Sequence, residues 1–76
     1  MTREQEKALD IFAEKAKDKG VHIMICMIAT SIMLSSEDWH STLNDISAIL
    51  DDSKNAGEFE RRLINKYPGQ SVAKQG

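Results

Sequence analysis

The fold class this chain predicts is all-α: a compact bundle of four short helices, at about residues 3–19, 21–34, 36–51 and 56–67. Three observations lead there. Apolar residues recur at i, i+3, i+4 and i+7 or close to it in the first, third and fourth segments, the spacing of one helix face. Helix-stopping or capping residues at Gly20, at Ser35-Ser36 and in DDSKNAG separate those segments. The one run rich in β-branched residues, Val21 to Leu34, has no second strand to pair with.

Helix one starts at Thr2, which with Gln5 forms a capping box, a pair of side chains that satisfies free backbone N–H groups. Leu9, Phe12, Ala13 and Ala16 form its stripe. Glu4 and Glu6 come early and Lys15, Lys17 and Lys19 late, both favourable to the helix dipole. Gly20 is a natural stop.

The second segment reads VHIMICMIATSIML, with eleven apolar residues in fourteen and no charge. A helix bonds its own backbone and needs no partner, so helix is expected over a long isolated strand. On a wheel, Val21, Ile25, Ile28 and Ile32 make one seam; Ile23, Met27, Thr30 and Leu34 make another on roughly the opposite side. Helix two is therefore expected at the centre of the bundle. A helix that is apolar all round is normally enclosed on all sides or in a membrane. The three other helices offer only narrow faces, so one seam is expected to pack inside and the other to meet a second copy or another protein. Met24, Met27 and Met33 suit gap filling as well as adaptable interfaces.

Helix three opens with Ser35 or Ser36 as cap and Glu37 and Asp38 in the first turn. Trp39, Leu43, Ile46 and Leu50 form its apolar arc, which favours core packing for Trp39 over a recognition patch with His40. Asp38, Asp45 and Asp52, seven apart, make an acidic stripe, most simply a solvated flank. Helix four opens at Asn55 or Gly57, carries Phe59, Leu63 and Tyr67 on one side, and stops before Pro68, which disfavours helical backbone at Tyr67. Residues 1–68 are expected to form one domain, and 69–76 a flexible tail.

The 76 residues carry a net charge of −2. Residues 21–53 hold five acids and no lysine or arginine, whereas residues 54–76 hold five basic residues against two acids. So small a chain buries a thin core, and such scaffolds often lean on a partner subunit. Cys26 is the only cysteine, which rules out an internal disulfide and suits a reducing compartment. The N-terminal residues lack a secretory signal's apolar core, so a cytoplasmic location is expected.

No catalytic motif is present, and no cofactor is expected. His22 and Cys26, four apart, could share a helix face and begin a metal site, but further ligands are missing. As a nucleophile and base the same pair would need an electropositive setting, and Cys26 sits in the least polar stretch. Arg61, Arg62 and Lys66 on the last helix suggest a helix-turn-helix reader of nucleic acid. An acidic preceding helix, an overlong turn and the weak basic face argue against it. The uncharged window Gly20 to Ser36 is seventeen residues, at the lower edge of the ~17–25 that span a membrane. Membrane insertion is disfavoured because the flanking helices are amphipathic.

The expected function is therefore non-enzymatic: a small protein–protein interaction or regulatory module, of adaptor or inhibitor type, that self-associates as a homo-oligomer through helix two. Ile23, Met27 and Leu34 are the candidate interface, with Ile25 and Ile32 as the mirror choice. A DNA-binding regulator and a small membrane protein are the alternatives.

Overall fold

A computed structural model describes residues 2–68, and the tail expected at 69–76 lies outside the described residues. Four helices follow one another: α1 (Arg3–Asp18), α2 (Ile23–Ser35), α3 (Trp39–Asp52) and α4 (Ala56–Lys66).

Each helix end is set by local chemistry. At α1 the capping box forms: Thr2 Oγ1 accepts the Gln5 N–H at 3.1 Å, and Gln5 Oε1 accepts the Thr2 N–H at 2.9 Å. The other end closes as a Schellman turn. Gly20 sits at φ +86°, its N–H donates to Lys17 O, and the Val21 N–H donates to Ala16 O, both at 2.9 Å. Val21 is buried as the apolar residue this turn places under its helix.

That turn corrects the expected start of the second helix. Val21 is spent on closing α1, so α2 begins at Ile23. His22 is its N-cap, with Nδ1 accepting the Met24 N–H at 3.0 Å. Ser35 Oγ donates to Ser31 O and Ser36 Oγ to Met33 O, both at 2.7 Å. The serines therefore finish α2 rather than open the next helix. Asp38 caps α3 instead, accepting the Ser41 N–H at 3.2 Å, which moves the start from about 36 to Trp39. Asn55 opens α4 by accepting the Glu58 N–H at 2.9 Å.

The core gathers Leu9, Phe12 and Ala16 from α1, Ala29, Ile32 and Met33 from α2, Leu43, Ile46 and Leu50 from α3, and Phe59 and Leu63 from α4. Phe12 and Phe59 meet in a tilted pair, ring centroids 6.3 Å apart, joining the first helix to the last. Each fully buried large side chain here contributes about 1.5–3 kcal/mol through loss of apolar surface from water. Trp39, expected within the arc of α3, is half-buried at the rim, with its ring edge-on to His40 at 5.2 Å.

Charge finishes the packing. Lys19 Nζ donates to Leu50 O at 2.6 Å and Ser53 O at 2.8 Å, placing a cation on the carbonyl end of α3. Lys15 pairs with Asp51 beside it, and Arg62 pairs with Asp52 and with Glu58, each at 2.8 Å. The end of the acidic middle is thus neutralised from both sides, Asp51 by Lys15 of α1 and Asp52 by Arg62 of α4. Glu37, Asp38 and Asp45 are left without a salt-bridge partner among the described residues.

Candidate functional site

Helix two, expected at the centre of the bundle, lies instead at its surface, packed on one side as expected of one seam, because the other three helices cover only that side. Its inward face is Ala29, Ile32 and Met33, with Ile25, Cys26 and Ile28 half-buried along the edges. This face is turned by roughly 60–70° from the seam centred on Ile25, Ile28 and Ile32, at 3.6 residues per turn. Ala29, fully buried, lies at the middle of this face. A methyl side chain lets a neighbouring helix approach closely, because interaxial distance follows side-chain size at the contact. A wheel that is apolar all round has no phase to reveal that choice.

The opposite face is open. Ile23 is 70% exposed, Met24 55%, Met27 63% and Leu34 40%. Ser31 and Ser35 lie among them, also exposed. Of the residues singled out as an interface, Ile23, Met27 and Leu34 lie on this open face. Ile32 is inside the core and Ile25 half-buried at its edge, so neither does. Met24 was missed: periodicity assigned it to neither seam, and only the direction of the core shows that it looks outward.

Two depressions shape the face. A groove of about 330 Å³ is lined by Met24, Met27, Ile28 and Ser31. A second, about 370 Å³, runs between α1 and the start of α2, lined by Ala13, Glu14, Lys17, Val21, Ile23 and Cys26. The apolar surface therefore extends from α2 toward α1 and meets the charged pair Glu14 and Lys17 there. Ile11 is also exposed, on α1 beside a smaller hollow lined by Phe12 and Leu43. A single exposed apolar residue is ordinary, whereas contiguous apolar patches beyond a few hundred Å² are rare on monomers.

The polar candidates resolve differently. His22 serves as the cap of α2, with Nδ1 accepting the Met24 N–H and its carbonyl accepting the Cys26 N–H one turn on, so the Nδ1 that a metal site would use is engaged by backbone. Among the described residues no group of three or more His, Cys, Asp or Glu is arranged to hold a metal ion. Burial pushes the Cys26 thiol above its ordinary range, away from the thiolate that nucleophilic chemistry needs. Arg62 is held by Asp52 and Glu58, its hydrogen bond to Asp52 favouring the charged form most. Arg61 and Lys66 are exposed; Lys66 Nζ lies 6.0 Å from the centroid of the Tyr67 ring. Among the described residues, no helix is long and apolar enough to cross a membrane.

Set against protein-family models, curated proteins and solved structures, the chain matches none.

Proposed function

We propose that this chain is a small, non-enzymatic interaction module that self-associates through the outward face of α2, a regulatory device of adaptor or inhibitor type. One observation carries the reading. Four large apolar side chains stand together in water on a helix with no charged residue, while the other helices hide their large apolar residues, Ile11 excepted. Transferring such surface out of water yields roughly 25 cal/mol per Å², the main driving force of association.

Nucleic-acid binding has less support. Arg62 is engaged with two carboxylates, and Arg61 and Lys66 alone make a small basic footprint next to an acidic helix.

Solution mass across a dilution series tests the proposal, on the natural chain and on Ile23→Asp and Met27→Asp. The natural chain is expected to move from a larger species to a monomer on dilution. The variants should be monomeric throughout with unchanged helical circular dichroism, because both positions face water in the monomer. A natural chain that stays a folded monomer at every concentration overturns self-association.

A further inference from the structure

The open face of α2 can pair with its own copy in an antiparallel register. Under the exchange of position i with 58 − i, Met24 maps onto Leu34, Met27 onto Ser31 and Ile23 onto Ser35. All six positions are exposed. This exchange is what two antiparallel copies of one helix make across a two-fold axis. It sets Met27 and Ile23 each against a serine, and Met24 against Leu34, also large and less exposed. Ser31 also lines the groove of about 330 Å³ that a methionine side chain could enter. The Ser35 Oγ–H already donates to Ser31 O, so covering it with apolar surface leaves no hydroxyl proton without a partner there.

Charge selects the same orientation. Glu37 and Asp38 follow the C-terminal end of α2, and Lys17 lines the groove beside Ile23 at its N-terminal end, with Glu14 next to it. A parallel pair would place Glu37 and Asp38 against their own copies and align the two helix dipoles. An antiparallel pair separates those acids and brings each toward the other copy's Lys17 and the positive start of its α2.

We propose that the occupant of this face is a second copy of the chain, packed α2 to α2 in antiparallel fashion about a two-fold axis between Met27 and Ser31. Met27 of each copy enters the groove beside the partner's Ser31, and Glu37 of each faces the partner's Lys17. This proposal rests on the self-association reading above and adds the geometry. A 13-residue helix is ~20 Å long. One helix pair of that length is a small contact beside the ~800 Å² per partner of a standard interface, which favours a dissociable dimer over an obligate one.

Cross-linking and charge exchange test it together. In a Cys26→Ala background, Met24→Cys and Leu34→Cys chains are oxidised alone and as a mixture. Antiparallel packing predicts a disulfide-linked mixed dimer well in excess of either self-linked species, since each position lies roughly 15 Å along the axis from its own copy, at 1.5 Å per residue. Lys17→Glu and Glu37→Lys should each weaken the dimer roughly three- to tenfold at low salt, and the double variant should recover most of that loss, within the range of exposed ion pairs. Self-linked dimers in excess, or a double variant no better than the singles, overturn the antiparallel geometry while leaving self-association standing. A natural chain that is monomeric throughout overturns both.

Discussion

Met27 and Met33 are the same residue type on the same helix, six positions apart, and alanine at each should have opposite consequences. Met33 is fully buried against the core. Removing its thioether leaves a cavity in a close-packed interior, which costs about 2–5 kcal/mol for a Met→Ala change. At ~4–8 °C per kcal/mol in a domain of this size, the melting midpoint falls by at least about 8 °C. Met27 has 63% of its surface in water, so Met27→Ala should change the stability of the monomer by no more than ~0.5 kcal/mol. If Met27 packs in a dimer, a second effect appears only where dimers exist, because binding of a partner to the folded state raises apparent stability by mass action. Urea unfolding followed by Trp39 fluorescence, at protein concentrations two orders of magnitude apart, separates the terms. Met33→Ala should lower the midpoint at both concentrations, and Met27→Ala at the higher one alone. Equal losses in the dilute samples would refute the assignment of inward and outward faces. A Met27→Ala loss independent of concentration would refute the dimer.

The two glycines at helix ends should respond in opposite directions. Gly20→Ala meets no atom within 4 Å, so its cost is the left-handed backbone alone, about 1–2 kcal/mol in a thermal melt. Gly57 is helical, and alanine there should stabilise by about 0.5 kcal/mol, its methyl in ordinary contact with Asn55 Oδ1 at 3.4 Å. Lys19→Met strips two carbonyls of a charged donor and should cost about 1–3 kcal/mol in urea unfolding, whereas Lys17→Met should be close to neutral. Alkaline pH should weaken the fold through Cys26. Its folded thiol holds the proton above the ordinary 9.0, so the unfolded chain loses that proton first. Stability is then intact below that value and declines as pH rises past it. Comparing melting midpoints on either side of pH 9.0 should show a smaller decline in Cys26→Ala than in the natural chain. Equal declines would discount the thiol.

The helices whose patterns have one apolar side were legible from residue types alone. Thr2, Gln5, Gly20 and Asn55 cap or stop their helices as their chemistry predicts, because a cap is decided within four or five residues. Leu43, Ile46, Leu50, Phe59 and Leu63 are buried because polar neighbours leave a helix one way to face. The Ser35-Ser36 pair read wrongly for a local reason: a serine hydroxyl can cap the helix that follows or return to the carbonyls of the one before. Geometry chose the second.

Where α2 faces was beyond reach of its own residues. Local sequence determines that Val21 to Leu34 is apolar on every side and that most of it is helical. Turning a uniformly apolar helix about its axis changes little of its own energy, so no periodicity marks an inward side. Tertiary packing decided it, through the close approach that Ala29 permits and the space that Met33 fills, and those contacts left Ile23, Met24, Met27 and Leu34 in water.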